Sequence, residues 1–259
     1  MTMTDGDVLR TENIAKRFGP VVALRDVTMH LRRGEVLGLI GDNGAGKSTL
    51  IKTLTGFLEP DSGSIFIDGE EVKLRSVTHA RQLGIETVYQ DLALIDQLPV
   101  YLNMNLNKEP VRRPFPFLDK KRMRAGARAK LDDMGVRIPS VDTEVAFLSG
   151  GQRQAIAIAR AVYSDARILL LDEPLAAMGA KESRIILDLM NELKKRADLS
   201  IVMIAHNFAQ IIDVCDRVNL LQHGRITCDK SVADSSGKDL TDLISAEYLG
   251  GNSTGPSGG

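Results

Sequence analysis

The spacing of apolar residues divides the chain into three stretches. In the first, residues 21–31 have strand character, and Arg32-Arg33-Gly34 closes them in a turn. Residues 35–40 are almost wholly apolar, as a strand buried on both faces requires, and they run into a glycine-rich loop. Residues 47–57 change to helical spacing. Pro60-Asp61-Ser62-Gly63 then signals a turn, and residues 64–68 form a short strand closed by Asp68-Gly69. A further strand covers residues 85–89.

The second stretch, about residues 91–163, is mostly helical. Residues 120–134 predict a charged amphipathic helix, and residues 149–162 a second one with little charge. Pro110, Pro114 and Pro116 predict a loop between helices. In the third stretch strands (167–171, 200–205, 218–221) alternate with helices (181–196, 208–215). Such alternation predicts an α/β fold with a largely parallel sheet and helices on both faces. One domain over residues 8–249 accounts for these elements, with its helical part at about 91–163. Residues 250–259, rich in Gly, Ser and Pro, are expected to form a disordered tail. No internal repeat is evident.

Composition narrows the function by exclusion. The net charge of -1 gives no overall field for nucleic acid, so no nucleic-acid partner is expected. Lys120-Lys121-Arg122 and Lys194-Lys195-Arg196 read as solvated helix faces. Cys215 and Cys228 lack metal-ligand spacing and are expected to be reduced thiols of a cytoplasmic protein. The first residues are polar and acidic rather than leader-like. No apolar run reaches the roughly 18 residues of a membrane helix, so work at a membrane needs a partner that spans it.

The chemistry is concentrated in three places. Gly41-Asp42-Asn43-Gly44-Ala45-Gly46-Lys47-Ser48-Thr49 fits G-x-x-x-x-G-K-[ST], with a strand before it and a helix after it. Gly41, Gly44 and Gly46 let the backbone curl so that N–H groups, that of Asn43 included, face phosphate oxygens, and the helix adds its positive end. Lys47 is placed to reach the β- and γ-phosphates, Ser48 to bind Mg²⁺, and Thr49 to add a phosphate contact. The second place is Asp172-Glu173-Pro174, at the end of an apolar strand, where Asp172 can orient Mg²⁺. The third is Leu148-Ser149-Gly150-Gly151-Gln152, a helix start capped by Ser149 whose glycines allow close approach of an anion.

Together these motifs resemble those of the ATP-binding cassette (ABC) ATPases, over roughly residues 9–227. The resemblance implies a P-loop NTPase core with a mostly parallel sheet, an N-terminal antiparallel β subdomain and a helical subdomain. It implies that ATP and Mg²⁺ are bound, that Glu173 polarises the attacking water, and that Gln90 contacts Mg²⁺ or water. It also implies that His206 donates to the γ-phosphate and that Phe18 stacks on adenine. Ser149, Gly150, Gly151 and Gln152 would serve the nucleotide of another ABC ATPase chain, with a homodimer expected and a different cassette as the other possibility. A transmembrane permease, and through it a periplasmic sugar-binding protein, would complete the machine, with this chain peripheral on the inner face of the cell membrane.

Within the family, Val88-Tyr89-Gln90-Asp91-Leu92, Asn103-Met104 and residues 176–183 look most like bacterial monosaccharide importers of the ribose, xylose or fructose type. A single-cassette branch fits the length. Two positions depart from the common pattern: Leu175 where Thr or Ser is frequent, and Gly179 where an aspartate is frequent. The alternatives are a non-transport ABC ATPase of DNA repair or translation and a nucleotide-sensing regulatory subunit.

Overall fold

The computed structural model describes residues 6–112, 117–176, 178–205 and 211–233. Its first element, β1 (Asp7–Phe18), is a strand that the hydrophobic pattern did not reveal. Polar residues interrupt its alternation, and register shifts accompany Asn13, which has φ +51°. It pairs antiparallel with β2 (Val21–Arg32). Next come β3 (Val36–Ile40) and α1 (Lys47–Leu54), which stops short of the predicted residue 57 because Gly56 adopts φ +68°. The strands β4 (Ser62–Ile67) and β5 (Glu70–Val72) complete a four-stranded antiparallel sheet in the order β2-β1-β4-β5. This is the N-terminal β subdomain implied by the family resemblance.

After α2 (Val77–Gln82) and β6 (Ile85–Val88), the chain enters the helical region with α3 (Val100–Asn103). Of the prolines read as a loop, Pro110 lies outside any helix or strand and Pro114 and Pro116 lie outside the described residues; beside them the short strands β7 (Val111–Arg112) and β8 (Phe117–Leu118) pair antiparallel. Two exposed residues per strand leave no periodicity to detect. Then come α4 (Lys120–Asp133) and α5 (Gly150–Val162), joined by a segment whose one helical piece is a 3₁₀ turn at Val145–Phe147. The last elements are β9 (Ile168–Asp172), α6 (Ala180–Lys194), β10 (Ser200–Ala205), β11 (Arg217–Gln222) and β12 (Arg225–Ser231). Of the helix expected over 208–215, the described part at Ile211 to Val214 is a turn in which Cys215 N donates to Ile211 O. The expected tail at 250–259 lies outside the described residues.

The central sheet has the order β12-β11-β3-β10-β9-β6, parallel throughout except for the edge strand β12. Both of its faces are covered, and successive residues serve opposite cores. On β10, Ile201 and Met203 join the core formed with α4, α5 and α6, while Val202 and Ile204 join the core formed with α1 and the antiparallel sheet. Leu169 and Leu171 of β9 divide from Ile168 and Leu170 in the same way. The continuous apolar run is thus a two-sided demand. Each such side chain contributes about 1.5–3 kcal/mol on burial.

Candidate nucleotide site

In an open parallel sheet, ligands gather outside the carboxyl ends of the strands. Here that edge collects the predicted residues through strand register alone. Asp172, the last residue of β9, is level with Ile204 of β10, which is level with Leu39 of β3. Val88 of β6 is level with Leu171 of β9. The loop of Gly41 to Gly46, the Asp172-Glu173 pair and the segment carrying Gln90 therefore leave β3, β9 and β6 on the same side of the sheet. His206, next in sequence after β10, lies outside the described residues.

The phosphate loop is held from outside by close backbone packing. A Cβ on Gly41 would lie 2.3 Å from the Leu221 carbonyl oxygen, and one on Gly46 would lie 2.5 Å from that of Ala23. Gly46, at φ +111°, precedes α1 and provides no side-chain cap. The first turn of α1 is thus left with backbone donors and a positive helix end for an anion. Gly224 N donates to Ala45 O, so the β11–β12 turn braces the loop as well. Lys47 is buried, with Nζ donating to the carbonyls of Gly41 (2.7 Å) and Asp42 (3.0 Å), which aims the ammonium across the loop. Asn43, Gly44 and Ser48 are exposed and Thr49 is half-buried.

The Asp172 carboxyl is pushed above its ordinary pKa by burial first and then by the neighbouring Glu173 charge; Lys47 and Lys52 oppose this. Glu173 has φ +50°, a left-handed conformation uncommon for a residue with a Cβ, and its N–H donates to Ile204 O at 3.1 Å. A cation would offset the burial cost of this acidic pair. The donors at hand, the Ser48 hydroxyl, the Asp172 carboxylate and the Gln90 amide oxygen, are the hard oxygens that suit Mg²⁺. Among the described residues no group of three or more His, Cys, Asp or Glu is placed to hold a metal; a Mg²⁺ ion here would take the rest of its shell from nucleotide oxygens and water.

Phe18 ends β1 opposite Val21 and is 48% exposed, with Lys16 Nζ 5.9 Å from its ring centroid. It is a surface platform rather than a core residue. It lies close in strand register to Ala23, which packs on Gly46.

Ser149 caps α5 in a reciprocal box: Gln152 N donates to Ser149 Oγ (3.3 Å), and Ser149 N donates to Gln152 Oε1 (3.1 Å). Gly150 N donates to Glu182 Oε1 at 3.0 Å. The close approach that Gly150 and Gly151 permit is made within the chain, by Glu182 of α6. Leu175, where a hydroxyl is more frequent, is buried in the core.

The contacts made by Arg160 and Asn103 are not encoded in the motifs. Arg160 near the end of α5 bonds the carbonyls that follow Gln90. Asn103, fully buried, donates to the Ile95 and Leu98 carbonyls and accepts from Ile95 N, fixing the path into the helical region. The signal for Asn103 was a polar residue inside an apolar helix turn. No helix among the described residues is long and apolar enough to cross a membrane.

Comparison with known proteins agrees with this geometry. The family model described as "ABC transporter" matches residues 24–176, more than half of the chain. The chain is 44% identical over 244 residues to the xylose/arabinose import ATP-binding protein XylG of Sulfolobus acidocaldarius, covering 94% of this chain and 96% of that one. It is 42% identical to the fructose import ATP-binding protein FrcA of Rhizobium meliloti, covering 87% and 89%. The crystal structure of a nucleotide-free ATP-binding cassette from an ABC transporter shares the fold, with a TM-score of 0.78 at 24% identity over 92% of this chain and 95% of that one. On the phosphate loop, the acidic pair at the sheet edge and these relatives together, the chain belongs to the ABC transporter family, as one of its ATP-hydrolysing subunits.

Proposed function

We propose that the chain powers an importer of monosaccharides. The observation that carries this is the assembly of the Gly41–Thr49 loop, Asp172, Glu173 and Gln90 on one sheet edge, in a chain similar to sugar-import ATPases over nearly its whole length. ATP lies with its phosphates on the first turn of α1, against Lys47 and Thr49, and its adenine on Phe18. Ser48, Asp172 and Gln90 hold Mg²⁺, which when bound neutralises charge on the phosphates. Glu173 orients and deprotonates the attacking water, a role worth about 10²–10⁴-fold in rate. His206 donates to the γ-phosphate.

Two copies join head to tail, so that Ser149, Gly150, Gly151 and Gln152 of each face the nucleotide of the other. The chain sits on the inner face of the membrane, beneath a permease that takes sugar from a periplasmic binding protein. A cavity of about 760 Å³ between β6 and α5, bordered by Arg81, Glu86, Asp91, Lys108 and Arg160, is the groove offered to the permease.

Purified protein tests the first part. Lys47→Ala should lose ATP binding, and Glu173→Gln should bind ATP yet hydrolyse it at least about a hundredfold more slowly. Undiminished turnover in Glu173→Gln removes that residue from the chemistry. Cells lacking the chain should lose uptake of labelled xylose, arabinose or fructose, with uptake restored by the intact chain but not by Lys47→Ala. Unchanged uptake of all three argues against the sugar reading.

A further inference from the structure

The first turns of α1 and α5 are finished differently. The α1 turn carries no side-chain cap, whereas the α5 turn has a capping box and a carboxylate from a distant element. That carboxylate is Glu182, in the first turn of α6, whose Oε1 accepts from Gly150 N at 3.0 Å. The fit is close: a Cβ on Gly151 would lie 3.0 Å from the Glu182 carbonyl oxygen, and one on Gly150 would lie 3.3 Å from Oε1. A full negative charge thus rests on the positive end of α5.

Beside it is a cavity of about 340 Å³ bordered by Gly150, Arg153, Gln154, Glu182, Gln90 and Met178. Gln154 is only 4% exposed, and its Nε2 has no hydrogen-bond partner among the described residues. Arg153 and Gln154 therefore border the cavity that Glu182 also borders, and Gln154 carries an unmatched amide donor.

The geometry points to Glu182 as a charge gate on the joining of two chains. This rests on the reading that Ser149 to Gln152 receive the γ-phosphate of a second chain. A phosphate approaching α5 meets the Glu182 carboxylate already on the same helix end. The two anions repel each other and share one set of donors, so ionised Glu182 weakens ATP-driven association. Arg153, on the border of the same cavity, gives the carboxylate a cation to turn toward when phosphate arrives. Because Glu182 belongs to the first turn of α6, which follows the loop begun by Glu173, its release also loosens the tie between that loop and α5.

The test uses sedimentation velocity with Mg·ATP on Glu173→Gln protein, which holds nucleotide unhydrolysed. Adding Glu182→Gln keeps an oxygen that can accept from Gly150 N and removes only the charge. The ATP concentration at half-dimerisation should fall by roughly threefold or more, since each dimer holds two such helix ends. The difference should shrink at high salt. Glu182→Ala removes charge and acceptor together. It should shift dimerisation in the same direction if charge decides, and in the opposite direction if Glu182 merely props the loop. An unshifted or raised midpoint in the Gln variant overturns the gate while leaving the dimer intact. If Glu173→Gln itself stays monomeric at saturating Mg·ATP, the head-to-tail reading fails first and takes the gate with it.

Discussion

Arg160 Nη2 donates to the Leu92 carbonyl at 2.8 Å, and Nη1 donates to that of Ala93 at 2.9 Å. The helix that begins at the Ser149 cap is therefore tied, near its far end, to the segment leaving Gln90. Ala93 has φ +49°, a conformation that needs such outside support. Burial pulls the Arg160 pKa down from its usual value, opposed by Glu86, and an arginine still remains charged. Lysine cannot reproduce the two-pronged bond. Arg160→Lys should cost about 1–2 kcal/mol in chemical denaturation. It should also speed amide exchange across residues 91–94. Equal protection in both proteins would show that the fork does not hold this segment.

The phosphate-loop glycines should separate by cause. Alanine at Gly41 meets the Leu221 carbonyl oxygen at 2.3 Å, backbone that cannot step aside without moving β11. Gly44 has φ +83° but open space around a Cβ, so alanine there meets only conformational strain. We expect Gly44→Ala to lose about 1 kcal/mol. Gly41→Ala should lose clearly more, about 2–3 kcal/mol or enough to prevent folding. Equal urea midpoints for the two variants would contradict the packing account.

These cases show why some of the site was legible beforehand. The phosphate loop and Asp172-Glu173 are contiguous, and each follows a buried apolar strand, so order along the chain already placed them at a sheet edge. Glu182 contacts Gly150 across 32 residues, and Arg160 contacts Leu92 across 68. No local spacing encodes either contact. Strand β1 was hidden because its partly exposed, bulged course breaks the alternation on which strand recognition depends. The β7–β8 hairpin was hidden by its brevity. The exposure of Phe18 follows from its place at the end of β1, which local spacing did not reveal.

Glu35 and Arg217 form a buried pair that joins the two sheets. Arg217 Nε reaches Glu35 Oε1 at 2.7 Å and Nη2 reaches Oε2 at 3.1 Å, while Nη1 bonds both oxygens of Asp229. Both residues are almost fully buried, and Arg217 also donates to His30 O on β2. Breaking such a pair from one side leaves an uncompensated buried charge. Glu35→Gln should therefore destabilise by about 3 kcal/mol, with Asp229 limiting the loss. Replacing both partners, Glu35→Leu with Arg217→Met, should recover much of that in denaturant titrations. A double variant weaker than the sum of its single variants would mean that the pair is irreplaceable for this packing.

Cys215 supplies a pH prediction. It is 4% exposed, and a Cβ on Gly38 would come within 3.0 Å of its Sγ. Burial, reinforced by the Asp216 charge, pushes its pKa from 9.0 to about 12. The folded thiol keeps its proton where the unfolded one has lost it, so the unfolded state gains from ionisation as the pH rises above 9.0. The consequent loss of stability accumulates between pH 9.0 and about 12 and is absent below that window. Cys215→Ala has its own cavity cost at every pH but should lack this decline, so the stability difference between the two proteins should narrow as alkali is added. Parallel stability curves through the window would rule the linkage out. At pH 8, iodoacetamide should modify the half-buried Cys228 well before Cys215, and denaturant should equalise them, with mass spectrometry reading both sites.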